Sequence, residues 1–371
     1  MTQAMSFTLT LDRAPMRSAL VDAVQEIVVE TAIDLAGTVA LRFGMAPTTT
    51  GDWSVLDDDP FRPLTSLGVG FSLDGGSPHT AINAFVTAQE ASWEEGGRSY
   101  LEVRGTDATV LMNLEEKVKA WENVSDSEMA SSILGDYGLD PQVHTTDARL
   151  ADPEGTTMQR GTDLRFLRRL ARRNGFGVYV LPDAQTGADR ARFEPPTLTG
   201  RAPTVLSVAM GAATNVAELQ ARYDMIRPTT VVAAGLDTAK KATQSESATE
   251  VATKVMGKES ALSHLLDGGH SVVVRPFDTG ALTTAELGPM AQAVTDLSSM
   301  AVVIEGRTGP DVGLLRPGQL VALRGAGRQY NGNYLLSQVR ITAGPGRFEQ
   351  RFTARRNAVQ ELGAESAGAT G

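Results

Sequence analysis

The 371-residue chain contains no cysteine. This excludes disulfides, thiolate nucleophiles and zinc sites built on sulfur, and it lets the chain pass unchanged between reducing and oxidising compartments. Histidine is scarce. His79, His144, His264 and His270 are scattered, and none has the i+4 histidine and adjacent glutamate of a zincin helix. A G-x-S-x-G elbow is missing, so a hydrolase serine has no platform. No phosphate loop is present, because Gly257-Lys258 is followed by Glu259 and lacks the upstream glycine. Gly68/Gly70 and Gly325/Gly327 do not complete a dinucleotide fingerprint. The expectation is a chain with no cofactor, no metal and no catalytic residue. No apolar run approaches the ~18 residues of a membrane helix, and the N-terminus MTQAMSFTLTLDRAPM has no basic region ahead of an apolar core. Synthesis and assembly in the cytoplasm, with no direct membrane insertion, are expected.

Positive charge is in deficit: 34 Lys and Arg against 44 Asp and Glu give a net charge of -10. Such a surface is repelled by DNA and by anionic membranes, which argues against nucleic acid as the main partner. Carboxylates are plentiful enough that a glycosidase pair is not excluded by counting. Asp57, Asp58 and Asp59, ahead of Pro60, lack the Asp-x-Asp-x-Asp-Gly spacing of a calcium loop, and residues 46–63 read as an exposed acidic loop.

What is present is a succession of strand and helix periods. Residues 7–110 alternate as strands: Phe7, Leu9 and Leu11, then Ile27, Val29 and Ile33, then Val39, Leu41 and Phe43. Between 109 and 200 the period becomes helical. Leu111, Leu114, Val118 and Trp121 predict a first helix, and Ser125 with Glu128 predicts a capping box for a second, closed by Gly135. A third helix follows within residues 158–180, where Thr162 is the N-cap, Asp163 charges the first turn, Leu164, Leu167, Leu170 and Ala171 share a face and Gly175 is the stop. The exit strand is 176–181, with a partner at 191–193. A proline-rich linker, 195–203, leads into strands at 205–210, 216–223 and 231–234. Residues 238–247 with 253–266 read as a helical or mobile insertion, and 284–300 as a helix. Strands return at 301–304, 319–324, 334–341 and 348–354, and 361–371 reads as a flexible tail.

Two motifs resemble the late control D family, the baseplate hub proteins of contractile-tailed phages and the hub half of VgrG-like spike proteins of contractile injection systems. The first is the helix Thr162, Asp163, Leu164, Phe166, Leu167, Leu170, Ala171. The second is Leu315, Pro317, Gly318, Leu320 and Val321, then Gly325, then Gly332, Tyr334, Leu336 and Val339. Residues 85–104 also share a strand-turn-strand layout with 334–355, with Gly97-Arg98 matching Gly346-Arg347. An internal repeat and a coincidence of two long hairpins both remain open.

The resemblance implies an α+β chain: a first antiparallel β-barrel-like domain (1–110), an intervening α/β domain (111–200), a second β-barrel-like domain (201–355) with a helical insertion at about 238–300, and a flexible C-terminal tail (356–371). It further implies a structural homotrimer joining the tail tube to a separate central spike protein and meeting other baseplate proteins, within a particle that is released extracellularly in some systems. Arg355, Arg356 and Gln360, where longer relatives continue into a spike, are the candidate spike contacts. Two alternatives are retained: a peptidoglycan-degrading hub enzyme, and a nucleic-acid-binding protein using Arg160, Arg165, Arg168, Arg169, Arg172 and Arg173. The arginines have no interleaved aromatics to stack bases.

Overall fold

The computed structural model describes residues 5–56, 59–73, 75–96, 98–146, 156–237, 241–278 and 284–361. Both strand-rich regions contribute to a single 13-stranded sheet and, among the described residues, close no barrel. The α+β class holds, while the expectation of two separate barrels gives way to one continuous sheet. The cause is the length of one strand. Gly332–Gly344 pairs along its first half with Leu320–Arg324 and, along the same edge further on, with Val24–Ala32. A 13-residue strand beside a 5-residue partner leaves donors and acceptors exposed, and the terminal strand of the other region satisfies them.

The two regions are copies of one module. In chain order Ser6–Leu11, Val24–Ala32, Thr38–Gly44, Ser66–Ser72, His79–Ser92 and Tyr100–Thr106 correspond to Thr204–Ser207, Val216–Tyr223, Val302–Thr308, Leu320–Arg324, Gly332–Gly344 and Arg347–Arg356. The pairing sequence is the same in each. Two of the first module's three bulges recur in the second: Gln25 lies between the pairs Val24–Phe43 and Glu26–Arg42, as Ala217 does between Val216–Thr308 and Glu218–Arg307. Thr87 is the extra residue opposite Gly105 and Arg104, as Ser337 is opposite Ala354 and Thr353. The two bulge hydroxyls donate to equivalent carbonyls, Thr87 to Arg104 at 3.3 Å and Ser337 to Thr353 at 3.1 Å. Bulges specify register, so their coincidence rules out two unrelated hairpins. Two differences are clear: the bulge at Ala81, between the pairs Val69–Ile82 and Gly70–Thr80, has no counterpart in the second module, and the outermost pairing is antiparallel in the first module and parallel in the second.

Alternation buries one face of the sheet in a core common to both modules, including Ile27, Val29, Leu41, Phe43, Val103, Ile304, Val339, Ile341 and Phe352. Between the modules lies a unit with its own core, where the helices Asp126–Asp136 and Asp163–Asn174 cover the three-stranded sheet of Gly177–Pro182, Asp189–Glu194 and Asp140–Val143. The capping box at Ser125 and Glu128 forms, although the helix runs through Gly135 to Asp136. The helix expected through Leu111, Leu114, Val118 and Trp121 does not. A 3-10 turn, Ala108–Asn113, is capped by Asp107, and Glu116–Glu122 becomes a strand paired with Thr156–Thr162. Leu114 and Val118 point to solvent, and Trp121 is buried with its indole N–H on Gln159 Oε1 at 3.0 Å.

The insertion falls between Tyr223 and Val302, at the place of the short 33–37 connection in the first module. It is less helical than expected. Thr230–Asp237 and Ala242–Ala248 form a hairpin that packs with the long helix Thr284–Ser299 around a small core of Val231, Ala233, Ala248, Leu287 and Ala291, and Ala261–Asp267 is a short separate helix. Residues 57, 58, 238–240 and 362–371 lie outside the described residues, so Asp57 and Asp58 of the acidic triplet, part of the polar stretch and most of the expected tail are not placed.

Candidate assembly surface

The arginine helix was the strongest chemical signal in the sequence, and three of its cations are used locally. Thr162 caps the helix by accepting from the Arg165 N–H at 3.3 Å, and Gly175 ends it in the left-handed conformation at φ 70°. Arg165 pairs with Glu116 at 3.2 Å, Arg169 donates to the Met158 carbonyl at 2.6 Å, and Arg173 grips Asp126 through two nitrogens. Glu116 and Asp126 place negative charge beside Arg165 and Arg173. Asp163 is buried as a hub of polar contacts: Lys117 Nζ lies at 2.6 Å, Tyr137 Oη at 2.7 Å and Gln159 Nε2 at 2.5 Å. Burial opposes its ionisation, but these donors outweigh burial and hold the carboxyl below its ordinary range. Tyr137 is pushed up to about 12 by burial and by the same carboxylate. The cluster holds the helix to the strand Glu116–Glu122 and leaves no free acid or base.

The histidines serve as ordinary polar groups. His79 reaches the Ala184 carbonyl at 3.4 Å, His144 meets the Phe176 ring edge-on at 5.6 Å and His264 contacts Glu259 at 3.2 Å. No group of three His, Asp or Glu side chains with metal-binding geometry occurs among the described residues. No helix among them is long and apolar enough to cross a membrane.

Of the candidate spike contacts, the fold brings none into a common patch. Arg356 is fully buried, its guanidinium donating to the carbonyls of Asn331, at 2.6 Å, and Gln329 while lying 4.8 Å over the Tyr334 ring. Arg356 is therefore corrected from a surface contact to an internal brace, because the last long strand carries it into the fold. Arg355 is half-buried and lines a cleft of about 340 Å³ with Asp34, Gly177, Tyr179, Arg227 and Met300. Gln360 is exposed beside the short pairing of Ala358–Val359 with Glu259–Ser260.

Sequence reasoning missed the outward face of the sheet. There the bulges and alternation gather charges of both signs. Arg42 bonds Glu102 at 2.9 Å, Glu102 also holds Arg104 at 2.7 Å, and Arg104 reaches Glu90 at 3.3 Å. In the second module Arg307 reaches Glu218 at 3.6 Å and Glu349 at 3.5 Å, with Arg351 on Glu349 at 3.0 Å. Across the junction of the modules Arg340 meets Glu30 at 3.1 Å. Equivalent positions Glu26 and Glu218, and Arg42 and Arg307, line equivalent surface depressions. The visible signal was polar residues alternating with the apolar set, which by itself says only that a strand is half-solvated.

Among the open strand edges of the described residues, two belong to long strands of the large sheet. Val216–Tyr223 pairs only with Val302–Thr308, so its other edge is free. His79–Ser92 is paired with Ser66–Ser72 through residues 79–85 alone, which leaves 88–92 open on that side. Apolar side chains stand exposed beside both edges: Trp93 (57%), Met225 (56%) and Ile226 (71%). Protected monomers avoid such edges, and assembling proteins retain them.

The whole arrangement has structural counterparts. A tail protein from Neisseria meningitidis aligns with a TM-score of 0.63 at 10% identity, covering 95% of this chain and 97% of that one. The 43 kDa tail protein of prophage MuSo2 from Shewanella oneidensis gives 0.64 at 13% identity, covering 95% and 99%. An Escherichia coli component of the type VI secretion system, itself described as similar to the T4 tail proteins gp27 and gp5, gives 0.55 at 13% identity, covering 95% and 76%. No curated protein matches the sequence. The hub-family resemblance read from the two motifs is thus borne out in the fold, which this chain shares with those phage-tail and secretion-system proteins. Descent is carried by a family model that matches residues 2–343, and by that match the chain belongs to the Alg8 N-terminal domain family.

Proposed function

We propose that the protein is a structural baseplate hub subunit of a contractile tail or phage-tail-like injection system: a trimeric adaptor between the tail tube and a central spike, with no enzymatic role. The observation that carries this reading is the duplicated module whose sheet is continuous across both copies. Two modules per chain let three chains present six similar faces, which matches a six-fold tube on one side and a three-fold spike on the other. The outward face, laced with opposite charges, suits a surface that meets water or a polar channel rather than a core. Tail-tube, spike and other baseplate proteins are the partners this reading requires, and a tail particle is its location.

Deletion of the gene in its host tests the reading. The expected result is loss of complete sheathed particles in electron micrographs, restored by the gene in trans. Normal particles in the deletion strain would refute it. Purified protein is expected to leave peptidoglycan suspensions turbid, and clearing by a protein free of other hydrolases would favour the enzymatic alternative.

A further inference from the structure

We propose that copies of this chain join edge to edge, the free edge of Val216–Tyr223 in one copy pairing antiparallel with residues 88–92 of the next, in the register that the chain already uses between its own modules. The number of copies in the ring rests on the hub reading. The junction itself rests on the internal duplication.

Within the chain, Val24–Ala32 pairs with the second half of Gly332–Gly344, as Gln338–Ala32, Arg340–Glu30 and Thr342–Val28. The equivalent of Val24–Ala32 in the second module is Val216–Tyr223, and the equivalent of Gly332–Gly344 in the first is His79–Ser92. Both of these strands have open edges among the described residues. Carrying the register over sets Ala88 opposite Asp224, Glu90 opposite Arg222 and Ser92 opposite Gln220. The internal ion pair Arg340–Glu30, at 3.1 Å, becomes Glu90–Arg222 with its charges exchanged. Arg222 is exposed and has no ion-pair partner among the described residues, while Glu90 holds only the solvent-exposed Arg104. A register slipped by one residue would turn these charges to the apolar face, so the complementarity is a property of this register.

Burial agrees. Ile27, Val29 and Thr31 are buried because the neighbouring strand covers them, whereas their equivalents Leu219, Ala221 and Tyr223 are only half-buried. On the partner edge Val339, Ile341 and Ala343 are buried, whereas the equivalents Gln89 and Trp93 are exposed and Ala91 is half-buried. The proposed junction sets Trp93 against Leu219. It also carries Met225, the equivalent of Ile33, to Thr87, repeating the Ile33 N–H bond to the Ser337 carbonyl at 3.0 Å.

The absence of cysteine makes the test clean. The Ile33–Ser337 bond makes Thr342–Val28 a non-hydrogen-bonded pair, with Cα atoms about 4.5 Å apart and within disulfide reach. Full-length Ser92→Cys/Gln220→Cys, oxidised and run without reductant, is expected to give a covalent trimer. Single variants should give nothing beyond dimers, and Ser92→Cys/Asp224→Cys, four residues out of register, should not close the ring. Separately, Glu90→Arg is expected to weaken self-association about tenfold by setting like charges opposite, and Glu90→Arg/Arg222→Glu to restore it. A trimer in solution whose Ser92→Cys/Gln220→Cys form does not cross-link overturns the junction and leaves the hub reading standing. Protein that stays monomeric and uncross-linked at every concentration overturns both, and equal cross-linking of the off-register variant overturns the register.

Discussion

At the scale of residues, the informative side chains are those whose role the sequence could not reveal. Asp163 occupies the first turn of a helix, where a carboxylate is favoured by the helix dipole, and that much was legible. Its convergence with Lys117, Tyr137 and Gln159 was not, because the strand carrying Lys117 read as a helix. Asp163→Ala is expected to cost about 3 kcal/mol, since it strands a partly buried ammonium and two further donors. Thermal denaturation would measure it, and a change within error would reduce the cluster to surface decoration. Asp189 is perturbed in the opposite direction. Burial pushes its carboxyl up to about 6, despite a bond from Asn83 Nδ2 at 3.0 Å. A folded-state pKa above the unfolded one contributes stability at low pH that is lost as the pH rises through about 6. Asp189→Asn keeps an acceptor oxygen, so it should exceed the parent in stability by roughly 1–2 kcal/mol at pH 8, with the difference vanishing below about pH 4. A difference independent of pH would show that ionisation is not the cause.

At the scale of elements, caps and alternation were legible and pairing partners were not. Thr162, Ser125 with Glu128, and Gly175 all do what their residue types dictate. The strands of both modules fall within a few residues of their apolar alternation. The failure at 111–121 has a physical reason: four apolar residues at helical spacing gave a pattern that strand pairing with Thr156–Thr162 overrode, and only Trp121 found a core. The insertion misled similarly, since Ala242–Ala248 is polar in composition yet becomes a strand through its partner Thr230–Asp237. Of the assembly surface, the sequence disclosed the repeat but not the open edges, which exist only once each strand's neighbours are known. Gly175 offers the element-scale test. It combines φ 70° with a position where a Cβ would sit 3.1 Å from Ala293 Cβ on the long helix of the insertion, whereas Gly138, at φ 67°, faces open space. Gly138→Ala should cost about 1 kcal/mol for the left-handed backbone alone, and Gly175→Ala about 1 kcal/mol more for the displaced helix. Equal losses in paired chemical denaturation would mean that the insertion helix yields freely.

At the scale of the whole molecule, the question is what makes the two modules and the intervening unit behave as one body. The sheet couples the two modules directly, because Val24–Ala32 and Gly332–Gly344 share a ladder. Among the described residues the intervening unit has no strand in that sheet, and side chains tie it to the modules. Arg316, beside the Pro317-Gly318 turn, donates to the Pro182 carbonyl at 2.9 Å in the intervening unit and to the Thr80 carbonyl at 2.9 Å in the first module, so one guanidinium ties all three parts. Asn83 adds bonds to the Gly187 carbonyl at 2.9 Å and to Asp189. Burial lowers the pKa of Arg316, yet Asp183 nearby favours its charged form, and an arginine stays protonated at any pH the fold survives. Its removal leaves two carbonyls short of a donor, worth about 2–4 kcal/mol with the lost charge-assisted bonds. That loss falls on the interface rather than on any core, so it should change cooperativity as well as midpoint. Calorimetry of the parent chain is expected to give one transition, and Arg316→Ala/Asn83→Ala to separate an early melt of the intervening unit from that of the sheet. A single sharp transition in the double variant would show that the apolar contacts between Phe85 and the core of the intervening unit couple the parts without these bonds.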